Sequence, residues 1–248
     1  MDLTEYRNSI SEKARVDDLM RLLPGEKLPA VLDIGARDGF ISKLLIDHCS
    51  IVTALDLEQP AIEHERIRCV KGDITALYFA DASFNLVFCA EVLEHIPTHL
   101  LRTACLELAR VSSDYVLIGV PYKQDIRCGR STCGTCGKIN PPWGHVNRFD
   151  EDRLRELFPE FTVIKQSFVG ETDAQTNALS CGLMDMAGNP YGTYSQQEPC
   201  INCGASLKPP PERRLWQKVL TKVAFTTTSI QKKFVAPHPN WIHMLLHR

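Results

Sequence analysis

The sequence lacks any long run of hydrophobic residues. Of its 248 residues, 44% are hydrophobic and 23% are charged, which is ordinary for a soluble globular protein. No apolar run approaches the roughly 18 residues that a transmembrane helix needs, so we expect no membrane-spanning segment. The first twenty residues mix acids and bases from position 2. The apolar stretch of a secretory signal is therefore also missing, and we expect a cytoplasmic protein.

The sequence also lacks a strong net charge. The chain has 28 Lys and Arg against 30 Asp and Glu, a formal net charge of -2. Nothing in this balance attracts nucleic acid globally, so a nucleic-acid partner is not expected. Cysteine, in contrast, is abundant, with ten residues. In a reducing compartment, paired thiols more often bind metal or act in catalysis than form disulfides.

Short apolar runs rich in β-branched residues alternate with helical stretches through the first half of the chain. This alternation predicts a parallel sheet that is covered by helices on both faces. An amphipathic helix is predicted over residues 3–23, before the first strand. A further helix and strand follow at DEDRLRELF and FTVIKQSFV, and a closing strand lies in NWIHMLLHR. The five earlier strands are AVLDI (30–34), SIVTALD (50–56), IRCVKGD (67–73), FNLVFCA (84–90) and DYVLIGV (114–120).

Two turn-rich, cysteine-bearing segments interrupt this pattern. We predict that they are insertions, at residues 122–142 and 170–239, into a single core domain. The core then consists of residues 1–121, 143–169 and 240–248. One core is also the better expectation from a chain of this length.

Acidic residues end the first three predicted strands. In VLDIGARDGF, Asp33 precedes a glycine turn that opens a helix, so backbone can approach a ligand closely. Asp56 ends the second strand, where an acid can accept hydrogen bonds from the two hydroxyls of a ribose. Asp73 follows the third strand in KGDI, placed to contact an adenine amino group. Three acids at three consecutive strand ends are much harder to obtain by chance than one glycine turn.

These residues resemble the class I S-adenosylmethionine-dependent methyltransferases. The stretch FADASFNLVFCAEVLEHIP is similar to the fourth-strand region of the small-molecule branch, which includes the quinone O-methyltransferases. The resemblance implies a doubly wound, mostly parallel α/β sheet of seven strands, Rossmann-like, with S-adenosylmethionine as cofactor. It also implies a set of cofactor-binding residues, namely Asp33, Gly35, Arg37, Gly39, Asp56, Leu57, Asp73, Ile74 and Glu91.

Arg37 departs from the family pattern, because the middle position of the first loop is usually glycine. The methionine end of the cofactor must either be accommodated around this side chain or pair with it through its carboxylate. Dehydrogenases, which also combine a strand, a glycine turn and an acid, favour G-x-G-x-x-G, and the spacing here does not fit that motif.

Two residues are candidates for catalysis. Methyl transfer to a hydroxyl needs alignment of the nucleophile and a base that removes its proton. His145, in WGHVNRF after the fifth strand, is the candidate base, with a loop-fixing or metal-binding role as the alternative. Glu91, directly after the fourth strand, is expected to face cofactor or substrate.

Two C-x-x-C pairs have the form of zinc knuckles. Each is followed by glycine, in CGTCGK and CINCGA, and together Cys133, Cys136, Cys200 and Cys203 supply four thiolates for a structural zinc. A redox pair, an iron-sulfur cluster or unrelated buried thiols are the alternatives. Cys128 is a fifth candidate ligand.

The knuckles lie in the two insertions, which follow parallel strands and so begin at the same edge of the sheet. Zinc is therefore predicted to join both insertions into a cap that closes the active site. A basic stretch, Lys208–Lys233, has seven Lys or Arg against one acid. It is either a solvated helix face or a surface that attracts a phosphorylated, lipid-linked or membrane-borne substrate.

The sequence thus predicts an S-adenosylmethionine-dependent methyltransferase with a zinc-bound cap. The acceptor is expected to be small or carbohydrate-like, and methylation is expected on oxygen rather than nitrogen. Two alternatives stay open: an RNA methyltransferase, and a zinc-bearing pseudo-methyltransferase that serves as an interaction protein.

Overall fold

The computed structural model describes Arg7 and residues 9–196 and 198–248. The chain divides into two compact units. The first comprises Met1–Tyr122, Phe149–Gly170 and Pro239–Arg248. The second comprises the two segments between these, Lys123–Arg148 and Glu171–His238.

These bounds can be set beside the predicted core and insertions. Residues 143–148 were predicted in the core, but they belong to the second unit, which therefore includes His145. The assignment of the first unit as a catalytic core and of the second as a zinc-bound cap stays a prediction.

Seven strands form the sheet of the first unit, and their positions follow the predicted apolar runs. In chain order they are β1 Leu28–Ile34, β2 Cys49–Asp56, β3 Ile67–Lys71, β4 Phe84–Ala90, β5 Ser112–Pro121, β8 Thr162–Val169 and β9 Trp241–His247. Two short strands between them, β6 Ser131–Thr132 and β7 Ile139–Asn140, pair in the second unit.

The strand order is β3-β2-β1-β4-β5-β9-β8. Strands β1 to β5 pair in parallel, and β9 is antiparallel to both of its neighbours. The prediction of a seven-stranded, mostly parallel sheet is therefore confirmed. All the parallel strands present their carboxyl ends at one edge, the edge at which ligands bind in open α/β sheets.

Helices cover both faces of this sheet, as the unbroken apolar runs of the strands require. On β4, Leu86 and Phe88 pack into one core cluster, and Val87 and Cys89 pack into another on the opposite face. The first cluster includes residues of two helices, α1 and α2, and the second includes residues of α3 and α4. These four helices are α1 Ile10–Leu22, α2 Phe40–Leu45, α3 Leu101–Val111 and α4 Glu151–Leu157.

The predicted N-terminal helix is present as α1. Its start is fixed by Ser9, whose hydroxyl accepts a hydrogen bond from the Glu12 backbone N–H at 3.2 Å. Inside the helix, Glu12 and Arg15 form a buried ion pair with an N–O distance of 2.7 Å. Leu3 and Tyr6, which the prediction included, lie outside the described residues.

The described residues of the second unit form two α-helices, α5 Ala178–Met186 and α6 Leu215–Lys232, and a short 3-10 helix, Pro142–Gly144. The two α-helices pack together through polar contacts: the Ser180 hydroxyl donates to the Ala224 carbonyl at 2.9 Å, and the Thr228 hydroxyl donates to the Ser180 oxygen at 2.7 Å. Among the helices in the described ranges, none combines the length and the apolar character that crossing a bilayer requires.

Candidate active site and metal centre

The loop after β1 has a backbone shape that explains its glycines. Gly35 and Gly39 have positive φ angles of 77° and 76°. A Cβ added at Gly35 would come within 2.5 Å of a Val92 methyl group, and one at Gly39 would overlap Ile62. Neither position can therefore take a side chain without a shift of its neighbours.

Arg37 also lies in the left-handed region, with φ of 49°. An L-residue adopts this conformation at a cost of about 1 kcal/mol or more, which accounts for the usual glycine there. The strained turn aims the Arg37 backbone N–H at Asp56, where it donates to Oδ2 at 2.9 Å. Its proposed contact with the methionine end of the cofactor stays a prediction.

Asp33 is a buried carboxyl at the end of β1. It accepts a short hydrogen bond from the Ser42 hydroxyl of α2. Burial raises the pKa of Asp33 to about 7; the Ser42 hydrogen bond opposes this shift, and the negative charge of Asp56 adds to it. Asp33 can therefore exchange a proton near neutral pH, unlike an exposed aspartate.

Asp56, at the end of β2, holds the loop with both carboxylate oxygens. Oδ2 accepts from Arg37, and Oδ1 accepts from the Leu57 backbone N–H at 2.7 Å. A carboxylate has about four acceptor positions, so two remain for a ligand. The Leu57 side chain beside it is 65% exposed, although it is large and apolar. Both residues were predicted in the cofactor site.

Asp73 and Ile74 follow β3, the next strand. Asp73 Oδ1 accepts hydrogen bonds from the backbone N–H and the hydroxyl of Thr75, at 2.8 and 2.7 Å. This turn does not use the second carboxylate oxygen of Asp73. Ile74 is buried at 5% exposure in the core cluster beneath. Asp33, Asp56 and Asp73 are thus placed at the ends of three adjacent strands, as the sequence predicts.

Glu91 is the first residue after β4 and has a positive φ of 56°. Its Oε2 accepts a hydrogen bond from the Trp241 indole N–H at 3.3 Å. The other oxygen, Oε1, is buried and has no hydrogen-bond partner among the described residues. Burial raises the pKa of Glu91, against the opposing charge of Arg15. A carboxyl that is strained, desolvated and incompletely bonded has the properties of a functional group.

Glu94, three residues later, is fully buried at 0% exposure. Neither of its carboxylate oxygens has a hydrogen-bond partner in the part of the chain that the structure describes. Burial first, and then repulsion from Glu91, raises the pKa of Glu94. No sequence motif marks Glu94, because its burial depends on tertiary packing.

His145 belongs to the second unit and is buried at 8% exposure. Its Nδ1 lies 2.7 Å from the Gln124 side-chain oxygen. Because an amide oxygen only accepts, Nδ1 carries the proton in this arrangement. The contact with Gln124 thus holds the His145 ring in one orientation.

The four predicted metal ligands come together in the second unit. The sulfur atoms of Cys133 and Cys203 are 3.7 Å apart, those of Cys136 and Cys200 are 3.6 Å apart, and all four lie within 4.8 Å of one another. Zinc ligands at about 2.3 Å in a tetrahedron lie about 3.8 Å from each other, so the cluster fits this geometry. Cys128 lies outside the group.

The two C-x-x-C turns are alike in their backbone. In the first, Gly137 N–H donates to the Cys133 carbonyl at 2.9 Å, and in the second, Gly204 N–H donates to the Cys200 carbonyl at 2.8 Å. Both glycines have positive φ, 71° and 72°. Such turns direct backbone N–H groups at the sulfurs. The N–H of Cys136 lowers the pKa of Cys133, which favours the thiolate that metals bind.

A buried histidine, which the sequence analysis did not single out, lies on β9. His243 Nδ1 is 2.7 Å from Asp18 Oδ2 of α1, and the Ser167 hydroxyl of β8 donates to the same oxygen. Its Nε2 is buried without a hydrogen-bond partner among the described residues. Burial lowers the pKa of His243 to about 4, although Asp18 opposes this. Only the pairing of β9 with β8, and the position of α1, bring these groups together.

Part of the chain matches a known protein family in sequence. Residues 32–114 match a protein family described as "Methyltransferase domain". This segment runs from β1 into β5 and contains Asp33, Asp56, Asp73 and Glu91. No curated protein matches the chain in sequence.

Solved methyltransferase structures resemble the chain in fold. The N-methyltransferase NodS from Bradyrhizobium japonicum WM9, in complex with S-adenosyl-L-homocysteine, is 22% identical with a TM-score of 0.53, over 70% of this chain and 86% of that one. The 1,6-didemethyltoxoflavin-N1-methyltransferase of Burkholderia thailandensis is 20% identical with a TM-score of 0.51, over 67% and 76%. An S-adenosylmethionine-dependent methyltransferase from Mesorhizobium loti is 14% identical with a TM-score of 0.51, over 95% and 98%.

The likeness to quinone O-methyltransferases and the choice between oxygen and nitrogen as acceptor stay predictions. Residues 32–114 match a methyltransferase domain, and the chain has the fold of the Rossmann-like methyltransferases.

Proposed function

We propose that this protein transfers a methyl group from S-adenosylmethionine to a small or carbohydrate-like acceptor, with oxygen as the accepting atom. The observation that carries the proposal is Asp56, a carboxylate at the end of β2 that is fixed by two backbone N–H groups and keeps acceptor positions for a ligand. A fixed carboxylate at this edge suits the two hydroxyls of a ribose.

The neighbouring residues fit the rest of the cofactor. Exposed Leu57 supplies an apolar surface beside Asp56 on which an adenine ring can lie. Asp73, with one carboxylate oxygen outside its turn, suits the adenine amino group. The turn after β1, in which Gly35 and Gly39 have positive φ angles, lies where the methionine end would pass.

The cofactor supplies a methyl group on a positively charged sulfur, and transfer is an in-line displacement that depends on alignment. We assign His145 as the base that takes the acceptor proton, with Gln124 at Nδ1 orienting its ring. We assign Glu91 to orient acceptor or cofactor, because Trp241 fixes one of its oxygens and the other is unused among the described residues.

We further propose a structural zinc ion at Cys133, Cys136, Cys200 and Cys203. The sulfur spacing and the paired turns support this assignment, and the absence of a strand–helix junction at either pair argues against a redox motif. That the zinc-bound segment closes the active site stays a prediction.

Incubation with methyl-tritiated cofactor tests the proposal. Purified protein and a small-molecule extract should yield label in the small-molecule fraction, and His145→Asn should slow transfer about 100-fold or more at saturating cofactor. Label that enters only RNA would support the RNA methyltransferase alternative. The pseudo-enzyme alternative predicts neither label nor binding of the cofactor product.

A further inference from the structure

The long helix of the second unit, α6, exposes a strip of large apolar side chains. Leu215 and Trp216 are 80% and 50% exposed, and Val219 and Ile230 are 57% and 54% exposed. With Val223, they recur at helical spacing and share one face of the helix. Exposed large apolar residues are common singly, but a continuous strip of them indicates a binding surface.

An open groove of about 580 Å³ lies along the adjoining face of α6. Four of the residues that line it are cations, namely Arg213, Lys218, Lys222 and Lys233. The lining residues, all in the described part of the second unit, include no acid. The groove is therefore locally basic, although the chain as a whole has a formal charge of -2.

Two aromatic side chains that contact each other line the groove. Tyr191 and Phe225 meet edge to face with ring centroids 5.0 Å apart. The Arg213 guanidinium lies 4.8 Å from the Tyr191 ring centroid, and it also donates to the Thr221 hydroxyl at 3.3 Å. Arg213 is thus held in place beside the groove, whereas Lys218 and Lys222, one turn apart on α6, are exposed at its rim.

We propose that α6 docks the protein on an anionic membrane surface, with lipid phosphates in the basic groove and the apolar strip in the acyl boundary. A helix with Trp and aliphatic residues on one face and lysines beside them has the composition of an interfacial helix. A soluble phosphorylated ligand would use the groove alone and leave the strip without a role. RNA would use cations and aromatic rings, but aliphatic Leu215, Val219 and Val223 offer no stacking surface.

Vesicle sedimentation tests this proposal on the full chain. The protein should sediment with vesicles of phosphatidylcholine mixed with phosphatidylglycerol, and much less with phosphatidylcholine alone. Lys218→Gln/Lys222→Gln should weaken binding about 30-fold, because each surface lysine contributes about 1 kcal/mol to attraction by anionic lipid. The control Lys13→Gln/Lys27→Gln removes the same charge from the first unit and should bind like the unchanged protein.

The apolar strip needs its own variant. Trp216→Ser/Val223→Ser keeps every cation and should weaken vesicle binding by about tenfold or more at both low and high salt, because salt screens charge attraction but not apolar burial. Circular dichroism should show unchanged helix content in all variants, since these side chains are exposed.

Three results would overturn the proposal. The first is no sedimentation with either vesicle. The second is binding that inorganic phosphate displaces and that the apolar variant leaves unchanged, which would assign the groove to a soluble phosphorylated ligand. The third is salt-sensitive binding to single-stranded RNA with none to vesicles.

Discussion

Acidification from pH 7 to pH 4 should remove about 3 kcal/mol of folding stability through His243 alone. Burial lowers its pKa to about 4 in the folded chain, against about 6.5 in an unfolded one. Between these pH values the unfolded state binds more protons at this residue than the folded state does. The stabilising contribution of neutral His243 is therefore fully present above pH 6.5 and is lost as the pH falls toward 4. The pKa gap of roughly 2.5, at about 1.36 kcal/mol for each step of one, corresponds to about 3.4 kcal/mol in full. About 3 kcal/mol of this is lost by pH 4, where the folded state is half protonated.

The surroundings of His243 explain the sign of this effect. Asp18 on α1 favours the protonated ring through its hydrogen bond, and Arg15 on the same helix opposes it. Ser167 on β8 shares the Asp18 oxygen, so that acid is already engaged. A proton on Nε2 would be a buried donor with no acceptor among the described residues. The cost of desolvating a protonated His243 ring is therefore larger than the stabilisation that the Asp18 carboxylate gives it, and the pKa falls.

Urea unfolding at a series of pH values measures the effect. His243→Asn keeps a donor toward Asp18 but does not titrate, so the difference in stability between wild type and variant should shrink by about 3 kcal/mol from pH 7 to pH 4. The difference must be used because buried Asp33, with its raised pKa, changes stability in the opposite direction. The exposed His99→Asn is the control. If wild type and His243→Asn show parallel pH dependence, the low pKa of His243 does not contribute to stability in this way.

Three further outcomes follow from the site. Asp33→Asn removes a carboxyl whose pKa burial raises to about 7, so that the folded chain favours its protonated form. In urea unfolding, the stability of the variant relative to wild type should therefore rise by up to about 4 kcal/mol between pH 4 and pH 8. The absence of such a rise would contradict this prediction. Cys203→Ser should lose bound zinc by mass spectrometry of the metal while Cys128→Ser retains it, and equal zinc in both would disprove the four-thiolate site. Gly35→Ala places a Cβ 2.5 Å from a valine methyl group at a positive φ, and it should lower the free energy of unfolding by about 2 kcal/mol or more in urea. Gly25→Ala, whose new Cβ has nothing within 4 Å, should have a small effect. Similar losses in both variants would contradict the strain at Gly35.

The sheet could be predicted from the sequence because strands buried on both faces are long apolar runs. FNLVFCA became β4 over Phe84–Ala90 without a shift, and the closing strand became Trp241–His247. The acids at the carboxyl edge followed from the same pattern, since a parallel sheet places the ends of its strands together. The cysteine cluster was also predictable, because each C-x-x-C turn fixes two sulfurs locally.

Contacts that depend on distant register could not be predicted. His243 meets Asp18 only because β9 lies between β5 and β8 and α1 packs against it. Asp56 is a fixed acceptor of the Arg37 N–H, and Oε1 of Glu91 and both carboxylate oxygens of Glu94 lack hydrogen-bond partners among the described residues. These features are likewise products of tertiary packing. No periodicity in the sequence records them.

Calorimetric titration with S-adenosylhomocysteine measures whether the chain binds the cofactor product at Asp56. The protein should bind it with one site per chain. Asp56→Asn should weaken binding about 30-fold, because hydrogen bonds from the ligand to a charged carboxylate contribute about 2 kcal/mol to the binding free energy. Asp47→Asn, which changes an exposed acid after α2, should bind as wild type does. No binding at millimolar concentration, or equal affinity in all three proteins, would contradict the account.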